Sequence, residues 1–253
     1  MGSRVPRVAG RPWDNLGVNF PSTRRSAVLA AGSEDAVERR QAFEVLVATY
    51  WRPIYKYVRL KWGVSGDEAQ DLTQGFFARA IEKDFFAGYD RTKGSFRTFL
   101  RTCLDGFVAN EKKSAQRIKR GGGTELLSLD FESAEGELQR YEPPAGLGLE
   151  EYFRREWVRG LFGLAVDSLR EECATQGKQA HFRLFERYDL DEAATTYEEL
   201  AREFGVSVTD VTNHLAFARR QFRRIVLEKL RDSTGDEQEF RSEARLLLGV
   251  DPA

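Results

Sequence analysis

The chain has 253 residues, 41% hydrophobic and 31% charged, which places it in the soluble globular class with enough length for two small cores. Its formal net charge of -1 argues, taken alone, against a nucleic-acid binder, but the sum hides blocks of opposite sign. Residues 109–120 carry five Lys or Arg against one Glu and residues 217–231 six against one, while residues 125–151 between them carry eight acids and one Arg.

Residues 1–32 read as a disordered leader, rich in Gly, Pro and Arg over the first 24, with structure beginning near Ser33. Gly2 invites a myristoylation reading, but Pro6 stands where that motif needs Ser or Thr. No stretch approaches eighteen apolar residues and the start has no apolar signal region, so neither a membrane span nor a signal peptide is expected, and the expected location is the cytoplasm. The two cysteines, Cys103 and Cys173, sit in helix-like apolar patterns and read as small buried hydrophobes of a reducing compartment.

From AFEVLVATYWRPIYKYVRLKWGV the spacing of Phe43, Leu46, Val47, Tyr50, Ile54, Tyr57 and Val58 predicts helix, with Pro53 expected to start or kink a second segment. GDEAQDLTQGFFARAIEKD, residues 66–84, predicts a further helix: Leu72, Phe76, Phe77, Ala80 and Ile81 line one side, and Asp67, Gln70, Asp71 and Gln74 form a polar stripe at i, i+3, i+4 and i+7. After a turn at Gly88 to Gly94, SFRTFLRTCLDGFVANEKKSAQRIK predicts a long helix, apolar at Phe96, Phe99, Leu100, Cys103, Leu104, Phe107 and Val108 and basic at its end. Residues 121–150, with three successive glycines, a Pro pair and heavy acid, read as a flexible acidic linker.

A second helical block over 151–231 holds the most legible local motif, YEELAREFGVSVTDVTNHLAFARRQFRRIV. Leu200, Ala201, Phe204, Val206, Val211 and Leu215 supply the core of two crossed helices, Gly205 the turn between them and Ser207 a cap for the second: a helix-turn-helix. At about 100° per residue, Val211, Leu215, Ala218 and Phe222 face inward, leaving Thr209, Asn213, Ala216 and Arg220 as an outer stripe for base edges. Thr212, Arg219, Arg223 and Arg224 flank the stripe, where they would neutralise phosphates. The tail over 232–253, an extension past a minimal two-domain chain, predicts a short amphipathic helix through Phe240, Ala244, Leu247 and Leu248, expected to be regulatory.

The order of these elements resembles a bacterial RNA polymerase sigma factor of the extracytoplasmic-function type. EAQDLTQGFFARAIEKD resembles the second helix of the promoter-melting domain, FRTFLRTCLDGFVANEKKSAQRIKR the helix that captures the minus-10 element, and YEELAREFGVSVTDVTNHLAFARRQF the helix-turn-helix that reads the minus-35 element. The resemblance implies an all-α fold of two small helical domains, a region 2-like domain over 33–120 and a region 4-like domain over 151–231, joined by the acidic linker. It implies a specificity subunit without chemistry or cofactor of its own, a monomer when free, whose partners are core RNA polymerase and promoter DNA. Asp67, Gln70, Asp71 and Gln74 would then dock on the beta-prime clamp of the polymerase, whose beta flap is a further partner. Lys93, Ser95, Phe96, Arg97 and Thr98 would lie near the captured minus-10 strand, with Asn110, Lys112, Lys113 and Arg117 on the adjoining backbone; Phe96 reads equally as core. Thr209, Thr212, Asn213, Arg219, Arg220 and Arg223 would meet the minus-35 duplex.

The chain departs from the family pattern at Gln70 and Gly75, where acids are common, which leaves the dock fewer negative charges. Restraint by an anti-sigma factor or a Ser/Thr kinase is open; Thr73 lies on this helix, but in its apolar sector, where a phosphate would disrupt packing. Asp105-Gly106 is a second departure, a glycine inside a helix costing about 1 kcal/mol of propensity. Enzyme readings find little support: His181 and His214 are far from each other and from cysteine in sequence, and Gly121 to Gly123 lack the Lys-Ser/Thr of a phosphate loop. The competing reading is a stand-alone helix-turn-helix regulator with an N-terminal dimerising or sensing domain, which would bind inverted half-sites as a dimer.

Overall fold

The computed structural model of the protein describes residues 26–83, 85–115, 129–140, 146–191 and 193–249. Among them are ten α-helices and no strand, the all-α class expected. The chain divides into two compact units.

Among the described residues, the N-terminal unit comprises residues 26–161 together with the later segment Arg231–Glu239. Its elements are α1 (Ala27–Ala30), α2 (Ala36–Trp62), α3 (Gly66–Glu82), two short 3-10 turns (Phe85–Gly88 and Arg91–Lys93), α4 (Phe96–Ala115), α5 (Phe131–Arg140) and the opening of α6 (Leu149–Thr175). α1 lies inside the stretch expected to be leader, before Ser33; residues 1–25 of that leader lie outside the described residues. Asp35 caps α2 through the amides of Val37 and Glu38, Gly63 at φ 59° ends it, and Ser65 starts α3. Pro53 does not divide α2 as expected: the helix runs through it for 27 residues, held on both sides by packing. Tyr50, Ile54 and Val58 on α2, Phe76 on α3 and Phe96, Leu104 and Val108 on α4 have no accessible surface. Each buried side chain of this size contributes roughly 1.5–3 kcal/mol.

The stretch read as a flexible acidic linker contains α5, and α5 is docked on α2. Phe131 enters between Trp51 and Tyr55, with ring centroids 5.3 and 5.2 Å away. Beside it Arg52 pairs with Glu137 at 2.6 Å and Arg59 with Glu135 at 2.6 Å, while Lys56 meets Glu137 at 2.7 Å and Glu156 of α6 at 2.6 Å. Lys56 and Glu156 are 2% and 3% exposed, a buried pair. The Arg59 guanidinium, with help from the Tyr55 hydroxyl, holds the Glu135 carboxyl down at about 2 against the burial that opposes it. The basic stripe Arg52, Lys56, Arg59 therefore has an acidic partner waiting in the chain's own middle segment.

The C-terminal unit contains α6 from Phe162, α7 (Gln179–Phe185) continuing into a π-helical turn (Glu186–Leu190), α8 (Tyr197–Phe204), α9 (Val208–Asp232) up to Leu230, and α10 (Glu237–Leu248) from Phe240. Thr196 and Glu199 form a reciprocal capping box at the start of α8. Gly205, at φ 65°, makes the left-handed turn, and Ser207 exchanges hydrogen bonds with Asp210 to start α9. The expected amphipathic tail helix is α10, with Phe240, Ala244 and Leu248 buried.

Candidate nucleic-acid and partner interfaces

On α3, Asp67 and Asp71 are exposed and Gln70 and Gln74 half-buried, and no hydrogen bond or ion pair engages the four side chains among the described residues. The opposite side is closed by Leu72, Phe76, Phe77 and Ala80; Ile81, expected there, is 48% exposed. Gly75 has a packing reason. A Cβ there would come within 3.3 Å of the Phe107 ring tip on α4, and that ring packs on Phe76 at 5.8 Å. A side chain at this position needs the Phe107 ring to give by a few tenths of an ångström. Thr73 is fully buried and its hydroxyl donates to the Ala69 carbonyl at 2.7 Å, so a kinase reaches it only if α3 opens.

The segment between α3 and α4 has its own local order. Asp90 accepts from the Thr92 amide and pairs with Lys93 at 3.4 Å, and Ser95 accepts from the Thr98 amide and lies 3.0 Å from its hydroxyl. Lys93 is well exposed and Ser95 and Thr98 are half-buried at the start of α4. Arg97 lies over the Trp157 indole at 4.5 Å. Phe96 resolves toward core: it has no exposed surface and packs on Tyr50, Phe86, Tyr89 and Phe99, so its ring cannot stack on a base. Further along α4, Asn110 and Lys113 are exposed and Lys112 lies against Trp62; Arg117 falls outside the described residues. Asp105 of α4 accepts from Lys61 at 2.6 Å and from the Tyr57 hydroxyl, a tie to α2.

On α9 the sequence periodicity is realised. Val211, Leu215 and Ala218 are fully buried, Phe222 packs on Phe162 and Phe185, and Thr209, Thr212, Asn213, Ala216 and Arg220 are exposed. Two of the expected phosphate contacts lie differently: Arg219 is engaged inside the fold and Arg223 is buried. Arg219 grips the Asp189 carboxylate through two nitrogens at 2.8 and 3.1 Å, lies within reach of the Tyr197 hydroxyl and covers the Tyr188 ring. Arg223 is 8% exposed. Arg224, a flanking candidate, is tied to Glu172 and Glu228. Arg219 and Arg224 tie α9 to its own unit, and Arg220 is exposed on the stripe.

The two histidines, distant in sequence, are brought together: the rings of His181 on α7 and His214 on α9 are 3.9 Å apart. Burial, then the neighbouring His214 and Lys178, pushes His181 below the ordinary imidazole value, which favours the neutral form. No cluster of three or more metal-ligating side chains occurs among the described residues. Cys103 is half-buried and Cys173 buried, both free thiols. No helix among the described residues is long and apolar enough to cross a membrane.

A helix-turn-helix with a clean outer stripe, in one chain with an all-helical unit bearing an unengaged acid-amide stripe, defines an all-helical protein of the DNA-reading class. The model of the ECF sigma factor family matches residues 41–228, more than half of the chain, and the chain belongs to that family. It is a sigma factor directing transcription initiation, from a family of non-enzymatic transcription factors that bind core RNA polymerase and promoter DNA. No curated protein and no solved structure matches the chain.

Three features were missed in the sequence: the basic stripe of α2, the turn at Ser233 to Gly235, which is buried in the N-terminal unit, and Tyr89. The first had a signal, since Arg52, Lys56 and Arg59 recur at i, i+4 and i+7 opposite an acidic stretch of the same chain.

Proposed function

We propose that α9 reads the minus-35 element through Thr209, Asn213, Ala216 and Arg220, with Thr212 beside them. Asn offers a bidentate pair to adenine and Arg to guanine, each discriminating by about 1–3 kcal/mol. The observation that carries this reading is the exposed polar stripe of α9 over a fully buried Val211, Leu215, Ala218 seam. The N-terminal unit plays the region 2 part. Asp67, Gln70, Asp71 and Gln74 dock on the beta-prime clamp, and the beta flap receives the C-terminal unit.

Lys93, Ser95 and Thr98 flank the captured minus-10 strand, and Asn110, Lys112 and Lys113 follow its backbone. Flipping a base costs a few kcal/mol, which stacking and polar contacts offset. Run-off transcription with purified bacterial core polymerase and genomic promoter fragments tests the whole reading. Specific transcripts that depend on this chain support it; dimeric duplex binding without polymerase association refutes it in favour of a stand-alone regulator.

A further inference from the structure

The segment Arg231–Glu239 belongs to the N-terminal unit although the chain on both sides of it belongs to the other. Ser233 and Thr234 are each 2% exposed there and Gly235 is buried. The Tyr50 hydroxyl donates to the Ser233 carbonyl at 3.1 Å. Gly235 lies flat against Tyr89: a Cβ on it would fall 2.4 Å from the Tyr89 hydroxyl oxygen and 2.5 Å from the ring, so no other residue fits without moving the turn or the ring. The ring has little room to yield, since it packs on Phe96 and Phe99 with centroids 5.2 and 5.5 Å away, and its hydroxyl donates to the Gly94 carbonyl.

Tyr89 sits between α3 and α4 beside the exposed cations Arg91 and Lys93. Residues 232–239 bring four acids, Asp232, Asp236, Glu237 and Glu239, and no base. Asp236 and Glu239 stand close enough for their charge to reinforce burial in raising the Tyr89 hydroxyl to about 12. The Glu239 and Asp236 carboxylates accept from the Gly235 and Glu239 amides and so hold the turn on the ring, and an aromatic ring followed by exposed cations is what an unpaired nucleic-acid strand needs, a face for a base and charges for its phosphates.

We infer that Tyr89 is a stacking platform for the unpaired minus-10 strand and that the turn Ser233–Glu239 is its cover in the free protein, displaced when the strand binds. The inference rests on the assignment of the α3–α4 segment to strand capture. It leaves Phe96 to the core: the half-buried ring of this stack that the turn covers is Tyr89.

Two experiments on the full chain decide it. In run-off transcription with core polymerase at limiting promoter DNA, Gly235→Val wedges the turn away and is expected to raise transcript yield about threefold or more. Adding Tyr89→Ala to that variant is expected to bring the yield several-fold below wild type. In the wild-type chain, hydrogen exchange of the 233–239 amides is expected to speed up about tenfold or more on going from holoenzyme to open complex.

A folded Gly235→Val protein that transcribes no better than wild type overturns the cover. So do 233–239 amides that remain equally protected in the open complex, a measurement that decides the matter even if Gly235→Val fails to fold. Transcription by Gly235→Val that is insensitive to Tyr89→Ala overturns the platform. In each of these cases wild type still initiates and the sigma reading stands; no transcript from wild type or variants overturns that reading and this inference with it.

Discussion

Replacing Lys56 by Met should destabilise the N-terminal unit more than the loss of any surface charge on it. Lys56 contacts two carboxylates, Glu156 at 2.6 Å and Glu137 at 2.7 Å, and only 2% of its side chain meets water. At an effective dielectric of about 20, a pair at this distance attracts by about 6 kcal/mol. The desolvation of each ion, several kcal/mol, takes most of that back, so the pair as a whole is close to neutral against an apolar replacement. Removing one partner is different. Glu137 still has Arg52 and partial access to water, but Glu156, 3% exposed, keeps only the half-exposed Arg159. Lys56→Met and Glu156→Leu should each cost about 3–5 kcal/mol, and the double variant should return to within about 1–2 kcal/mol of wild type. Urea denaturation followed by tryptophan emission in a Trp13→Phe background reports on this unit, because the other three of the four tryptophans, Trp51, Trp62 and Trp157, all lie in it. Single variants costing under about 1 kcal/mol, or a double variant no more stable than the singles, would refute the reasoning.

Asn213→Ala and Arg220→Ala should each weaken binding to the cognate minus-35 duplex by about 1–3 kcal/mol and relax base preference at one position, read by anisotropy across a substituted promoter series. Arg219→Ala should instead lower the melting temperature of the C-terminal unit, since it removes the bidentate grip on the Asp189 carboxylate, which is 7% exposed; a variant that melts like wild type contradicts that placement. Asp67→Lys with Asp71→Lys should abolish holoenzyme formation in gel filtration while leaving the helical melt intact, because both side chains are exposed and unengaged among the described residues.

Glu135 sets a pH response. Its folded pKa of about 2 lies below the ordinary 4.5, so its contribution is complete above about pH 4.5 and is lost as the pH falls from there toward 2. With a fifth of the side chain wet, that contribution is about 2 kcal/mol, and Glu135→Gln should flatten the stability profile between pH 5 and 3.

What could be read in advance was what is local. The α9 stripe, the Gly205 turn and the Ser207 cap are set by residues within a turn or two of one another, and so is the division of α3 into an apolar side and an acid-amide side. The docking of α5 could not be read that way. Arg59 meets Glu135 across 76 residues and Lys56 meets Glu156 across 100, and neither acid differs locally from a solvated one. Glycine and proline signals at 121–123 and 143–144 dominated that stretch and hid the ten residues of α5 inside it. The Arg219 pairing was hidden for the same reason: a basic residue in a helix-turn-helix looks alike whether its partner is a phosphate or an aspartate 30 residues away. Pro53 failed as a helix breaker because tertiary packing on both sides outweighs one missing backbone hydrogen bond.

The ionic seam between α2 and α5 also changes what a salt titration measures. The steepness with which promoter affinity falls against added salt is ordinarily taken to count the phosphates a protein neutralises. Here Arg52 and Arg59, partly open to water, already hold carboxylates that the same salt screens. If strand capture loosens α5, counterions gathered by Glu135 and Glu137 enter the slope with those released from DNA, and the apparent phosphate count comes out too low. Repeating the titration with Glu135→Gln and Glu137→Gln, which keep the side-chain size and remove the charge, separates the two populations of ions.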